Sequence, residues 1–374
     1  MIIKNGMVFT KDFQFRQQDI EIKQGKITKI ADFLPDGEDM IDACGRYVLP
    51  GLIDIHTHGA VGTDTMFEDF DFDKWQNYLF SYGITTFFPT TVTHNREKIL
   101  AVLKKLAANE KVEGINLEGP YLEKSKRGAH DENEIRPGDL AEFDMFFKAS
   151  GQKLRLTTIA PEVGNNLDFI RQLKKNYPIV VALGHSAAGY DQAVAGYQAG
   201  ASDLTHTFNA MNSLHHRDPG LVGAALSNDA VFCEVISDGI HLHPSIVKLL
   251  YRMLGKDRMV LISDSMAATG LKDGTYSLGN LDCVVKDGVA RTVIDGALAG
   301  STHNLMQMLR SAVSFGIPKE AAVQMASLNP AKVVGLEKET GSIAEGKNAD
   351  LIICGKQFEV LQTMKHGMVV YTKQ

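Results

Sequence analysis

Several features are scarce in this chain of 374 residues, and each scarcity removes a class of explanation. Its four cysteines, Cys44, Cys233, Cys283 and Cys354, are scattered without Cys-x-x-Cys spacing. That argues against a disulfide framework or a thiolate zinc site, and for reduced residues in a cytoplasmic protein. No apolar run approaches the ~20 residues that a membrane helix needs. The opening residues Met1-Ile2-Ile3-Lys4-Asn5-Gly6 lack the apolar core of a signal peptide. A membrane partner is therefore not expected. No basic block occurs either: 39 Lys and Arg stand against 45 Asp and Glu, a net charge of −6, so nucleic acid is not an expected partner. There is no internal repeat, low-complexity tract or long linker.

What is present is enough apolar material, 44% of residues, to bury a large core. Residues 1–50 read as short strands in which apolar and polar residues alternate, with Asn5-Gly6 and Gln24-Gly25 as turn residues. Residues 335–374 have the same texture, with strand-and-turn segments at 341–353 and 366–371. Both ends should therefore build one small β domain, a β sandwich, with a catalytic domain at 51–334 inserted between them. In that middle section apolar strand candidates alternate with amphipathic helix candidates. The strands are Leu52–Ile55, Thr85–Pro89, Ile115–Leu117, Leu156–Ile159, Ile179–Leu183, Asp203–Thr205, Val231–Ile236 and Met259–Ile262. Helices are expected at Arg96–Ala108, Leu167–Asn176, Tyr190–Ala199, Pro244–Leu254, His303–Phe315 and Lys319–Ala326, and a hairpin-like insert at Thr275–Ile294. Eight such units predict an α/β fold, a (β/α)₈ TIM-type barrel with its site at the C-terminal ends of the strands.

The residues at those ends carry the chemistry. Leu52-Ile53-Asp54-Ile55-His56-Thr57-His58 is a short buried strand ending in two histidines one pleat apart, so both rings point the same way. The third strand ends in Glu118, the fifth at His185, the sixth at His206 and the eighth at Asp264; the seventh runs into Asp238-Gly239-Ile240-His241. Each has an ordinary explanation. Glu118 and Asp264 could cap helices, and a lone His185 or His206 could be a satisfied core histidine. As a set at successive strand ends they are better explained by a cation, because burying so many ionisable groups without one is costly. Imidazole with carboxylate suits zinc, with iron, manganese or cobalt as alternatives.

This arrangement resembles the amidohydrolase superfamily. Within it, Asn116-Leu117-Glu118-Gly119-Pro120-Tyr121, Arg127-Gly128-Ala129-His130, Leu183-Gly184-His185-Ser186, Thr205-His206-Thr207-Phe208-Asn209-Ala210-Met211, Arg217-Asp218-Pro219-Gly220, Asp238-Gly239-Ile240-His241 and Ser263-Asp264-Ser265-Met266-Ala267 resemble the N-acetylglucosamine-6-phosphate deacetylases. Many other members of the superfamily carry a carboxylated lysine after the fourth strand. Here that strand leads to Thr158-Ile159-Ala160-Pro161-Glu162, with no lysine. The resemblance implies hydrolysis of the acetamide of a phosphorylated amino sugar, in amino-sugar catabolism. It implies one or two divalent metal ions per subunit: Glu118, His185 and His206 hold the main ion, and His56 and His58, retained here as in the binuclear members, hold a second. It makes Asp264 the catalytic acid and base. Ala129, His130, Asn209, Ala210, Arg217, His241, Leu298, Ala299 and Gly300 become substrate-binding residues, with Arg217 reaching the neighbouring subunit's site in a homodimer. The alternatives are a deacetylase of another N-acetylhexosamine phosphate, a related aminoacylase or deaminase, and a non-catalytic scaffold. Intact ligands and Asp264 speak against the scaffold.

Overall fold

Each of the eight expected strands forms, and they lie side by side in chain order in one sheet. They run Leu52–Thr57, Ile84–Thr91, Ile115–Glu118, Leu154–Ile159, Val180–Leu183, Asp203–Leu204, Phe232–Val235 and Met259–Leu261 in the computed structural model, which describes residues 1–374. Every neighbouring pair is parallel. A helix follows each strand, as crossover connections between parallel strands require. Arg96–Ala108 shows why the sequence chooses this. The Asn95 side chain accepts from Lys98 N–H at 2.9 Å, and Ile99, Val102, Leu103 and Leu106 form the buried stripe. Phe72–Ser81 and Leu140–Ala149, which follow the first and third strands, are capped in the same way by Asp71 and Asp139.

The first and eighth strands meet without a continuous ladder. The seam is closed instead by a single bridge between Thr57 and Ser265, by Asp264 N–H donating to His56 O at 2.9 Å, and by His58 N–H donating to Ser265 O at 2.8 Å. Below it the wholly buried Asp54 accepts from Ser263 N–H at 3.2 Å and from Ser263 Oγ at 2.6 Å. The barrel is thus drawn shut where the first-strand histidines and Asp264 lie next to each other.

Both ends of the chain join one further eight-stranded sheet, in which Tyr47–Pro50 pairs with Leu351–Cys354. It has its own core of 12 buried residues, among them Ile3, Ile20, Ile27, Leu351 and Met364. Gln24-Gly25 makes the expected tight turn, with positive φ at both residues and Lys23 opposite Lys26. Asn5-Gly6 does not. It lies inside the strand Ile2–Phe9, where the register shifts between Ile3 and Gly6 and Asn5 has φ 55°. The left-handed conformation that a turn would use makes a bulge instead. Residues 341–350 form turns rather than a strand. The insert after the eighth strand is a three-stranded meander, Gly274–Leu278, Leu281–Lys286 and Val289–Thr292, because Asp287-Gly288 supplies a second turn. No helix is long and apolar enough to cross a membrane.

Candidate active site

The strand ends deliver their side chains to one buried point. His56 and His58 sit on the first strand, Glu118 ends the third, and His185 and His206 follow the fifth and sixth by two residues. Asp264 follows the eighth. His185, His206 and Asp264 all have positive φ, at 46°, 25° and 48°. Such conformations cost a side-chain-bearing residue of order 1–3 kcal/mol and concentrate at functional sites.

Glu118 stands at the centre, and its two oxygens face different partners. Oε1 is 3.0 Å from His185 Nε2 and 3.0 Å from His206 Nε2, and these two nitrogens are 3.0 Å apart. Oε2 is 3.2 Å from His58 Nε2 and 3.4 Å from His56 Nε2. Asp264 Oδ1 closes the second side, 3.2 Å from His58 Nε2 and 3.8 Å from His56 Nε2.

The backs of the rings settle which nitrogen is bare. His56 Nδ1 is 3.0 Å from a Glu234 carboxylate oxygen, His58 Nδ1 is 3.2 Å from Thr90 O, and His185 Nδ1 is 2.8 Å from Lys126 O. Each of these partners can only accept, so each Nδ1 carries hydrogen and each neutral ring turns a lone pair on Nε2 towards Glu118 and Asp264. Lone pairs and carboxylate oxygens 3.0–3.4 Å apart repel unless positive charge lies among them. His56 Nε2 is moreover buried without a hydrogen-bond partner. The donor set therefore fits a divalent cation. His130 is different. Its Nδ1 accepts from Thr93 N–H at 3.1 Å, so its Nε2 is a donor, 3.5 Å from Glu118 Oε2. Donor atoms cluster within 4.8 Å as His56–His58–Glu118 and as Glu118–His130–His185. The second grouping fails chemically, because the His130 lone pair is already used.

Electrostatics point the same way. Burial works against ionisation of Glu118, yet the surrounding imidazoles hold it well below the usual carboxylate range. Burial likewise opposes the Asp264 charge, and His58, His56 and His206 outweigh it, bringing Asp264 to about 2. Burial would lower His58, but Asp264 and Glu118 push it up to about 9. His185 is driven down to about 4 by burial and the neighbouring His130. In the protein alone, positive charge is thus drawn to the two carboxylates.

The cluster opens into a cavity of about 300 Å³, lined by His58, Glu118, His185, His206 and Asp264 on one side. Ala129, His130, Asn209, Ala210, His241, Leu298 and Gly300 line the remainder. His241 is turned inward by Asp238, whose carboxylate is 2.7 Å from its Nδ1. His56 lies beneath the floor, and Ala299 is buried and does not reach the cavity. Arg217 does not line it either. It is exposed on the rim, with Nη1 2.8 Å from His216 Nε2, near Gly189 and Asp218. Gly128, Phe208, Leu278 and Ala297 also line the cavity; the first two lie in motifs quoted from the sequence, but none of the four was given a role there. Gly128 has φ 53°, and a Cβ there would stand 3.2 Å from the His185 ring. The largest omission is Glu234 behind His56; its signal was a carboxylate inside the otherwise apolar strand Phe232–Val235.

Comparison with known proteins agrees with this geometry. A model of the amidohydrolase family matches residues 47–370. The chain is 37% identical to N-acetylglucosamine-6-phosphate deacetylase of Vibrio furnissii, over 95% of this chain and 92% of that protein. It is 34% identical to N-acetylgalactosamine-6-phosphate deacetylase of Escherichia coli O157:H7, over 98% of each. Among solved structures, a mutant N-acetyl-D-glucosamine-6-phosphate deacetylase from Mycobacterium smegmatis, in complex with N-acetyl-D-glucosamine 6-phosphate, superposes with TM-score 0.93. It has 34% identity and covers 100% of this chain and 99% of that one.

Proposed function

This chain belongs to the amidohydrolase family, and we propose that it hydrolyses the acetamide of N-acetylglucosamine 6-phosphate to glucosamine 6-phosphate and acetate. The observation that carries this reading is the split around Glu118. Bare imidazole nitrogens lie on both of its sides, and a single histidine of the opposite tautomer, His130, faces it from the cavity wall.

In this reading Glu118, His185 and His206 hold a divalent cation, zinc first among the candidates, and His56 and His58 hold a second. Such an ion lowers the pKa of water from ~15.7 towards ~7 and polarises a carbonyl. The protein does the rest. Asp264, held ionised, takes the proton of the attacking water and returns it to the departing nitrogen. His130 Nε2–H donates to the carbonyl oxygen as charge builds there, a contribution worth roughly 2.7–4 kcal/mol in comparable sites. His241, oriented by Asp238, and Ala129 contact the sugar and acetamide, while Leu298 and Gly300, joined through the buried Ala299, close over them. Asn209 and the Ala210 N–H bind the phosphate. Arg217 completes that site in a neighbouring subunit, since its planar fork suits a phosphate and its rim position leaves it clear of its own cavity. The active form is then a homodimer acting in the cytoplasm.

The 34% identity to the relative named for N-acetylgalactosamine 6-phosphate supports a second reading, in which the epimeric sugar is the substrate. Acetate release from N-acetylglucosamine 6-phosphate, N-acetylgalactosamine 6-phosphate and unphosphorylated N-acetylglucosamine separates the cases. The proposal expects turnover of the first and little of the third. Preference for the second selects the epimer, and release of acetate from none rejects both.

A further inference from the structure

We propose that Glu234, backed by Asp203, is a positioning residue that allows an ion to bind on the His56–His58 side of Glu118. This rests on the reading of the cluster as a metal site.

Glu234 is fully buried in the seventh barrel strand between Cys233 and Val235. One of its oxygens, Oε2, lies 3.0 Å from His56 Nδ1 and accepts His206 N–H at 3.1 Å. It therefore touches the side chain of a histidine on one side of Glu118 and the backbone of a histidine on the other. The second contact lies where the chain leaves the sixth strand with φ 25°. His58 and His185 rest their Nδ1–H groups on neutral backbone carbonyls. Among the cluster histidines, His56 alone rests on a carboxylate. A carboxylate behind an imidazole fixes the ring's tautomer and raises its basicity as a ligand. Without it, His56 is free to place its hydrogen on Nε2, the nitrogen that faces Glu118.

The pairing behind Glu234 indicates a built feature. Asp203 faces the same barrel interior, since its register partner is Phe232, two residues before Glu234. Asp203 is fully buried, and neither its two oxygens nor Glu234 Oε1 finds a donor in the surrounding protein. Burial and the adjacent Glu234 push the Asp203 carboxyl well above its ordinary range. A protonated Asp203 supplies the donor that Glu234 Oε1 lacks. That hydrogen satisfies Glu234 Oε1 and leaves Oε2 to His56 and His206.

The test counts ions. Metal-stripped protein is reloaded with zinc, ions per subunit are measured by elemental analysis, and each ion's affinity is read by competition with a chelator. Native protein should take up two ions and His56→Ala one. Glu234→Leu should also take up one while keeping the Glu118–His185–His206 ion. Glu234→Gln, which preserves the acceptor but not the charge, should retain two, with the second bound roughly 10- to 100-fold more weakly. Glu234→Leu protein holding two ions at native affinity overturns the inference. If the Leu variant fails to fold, as judged by circular dichroism, an unchanged second affinity in Glu234→Gln overturns it. If His56→Ala keeps both ions, the fault lies in the reading of the site rather than in the role of Glu234. Native protein that takes up only one ion removes both.

Discussion

The terminal sheet and the barrel rim both bury ionisable groups, but only the sheet supplies each of them with a partner of the right kind. In the sheet, Asp19 accepts from Asn5 N–H and Leu34 N–H, each at 2.8 Å, and lies 3.1 Å from Lys4 Nζ. Asp350 accepts from Thr340 Oγ1 at 3.0 Å, His366 N–H at 2.8 Å and Lys365 Nζ at 3.3 Å. Donors meet acceptors, and folding alone explains the arrangement. At the rim, neutral rings set acceptors against acceptors: Glu118 and Asp264 face imidazole Nε2 atoms, and three of the contributing residues sit in strained backbone. Burial of charge says little about function. Burial of charge whose partners have the wrong polarity identifies a site that a ligand completes.

The sharpest attempt to break this contrast is His206→Ala. It removes an imidazole from the crowded side and should strip the main ion and abolish turnover. Near-native metal content and activity would reduce the rim to another structural cluster. Asp264→Asn comes next. Asn tolerates positive φ better than most residues, so melting temperature and bound metal should stay near native values while kcat falls at least ~10²- to 10⁴-fold. If Asp264 only capped the following segment, the variant would lose ~0.5–2 kcal/mol of stability and little activity. Arg217→Ala should leave kcat and stability nearly untouched and raise KM roughly 10- to 100-fold, the scale of one charge-assisted hydrogen bond. Mixing it with Asp264→Asn protein should restore activity in heterodimers if the arginine acts across an interface; active monomers in native protein would exclude that.

The smallest effect belongs to the sheet. Burial alone would raise Asp19, but the N–H groups of Asn5 and Leu34 and the charge of Lys4 hold it below its ordinary 3.8. Because the folded value is the lower one, its contribution is present above the unfolded value and is lost as pH falls through the folded value. Asp19→Asn should therefore lower the melting temperature by a few degrees near neutral pH, and the difference should shrink below about pH 3. kcat should not change. A change in kcat would mean that the two regions are not separable as described.

The strands and the convergence of polar side chains at their ends were legible because both rest on local pattern. Short apolar runs mark the strands, and the period of two sends His56 and His58 to one face. Asn5-Gly6 misled because a left-handed pair serves a bulge as readily as a turn, and only pairing partners distant in sequence decide between them. The third strand of the insert was hidden for a related reason: Asp287-Gly288 is a turn signal inside what reads as one hairpin. The tautomers were beyond the sequence altogether. His56 is fixed by Glu234, 178 residues away, and His130 by Thr93, 37 residues away. Arg217 could be read as a rim residue, but whose cavity it serves depends on a second subunit, which a single chain does not specify.

The seam between the first and eighth strands has a mechanical consequence. The sheet is a ribbon of eight strands whose two ends are joined by a few backbone contacts at Thr57, His58, Asp264 and Ser265, instead of a full ladder. Any ligand gripped between His56 or His58 and Asp264 spans those two ends. It then acts as a clasp on the ribbon and adds its binding free energy to the weakest joint in the ring. Loading the site and closing the barrel thereby become one event, and the rigidity of the catalytic geometry is in part a property of what the site holds.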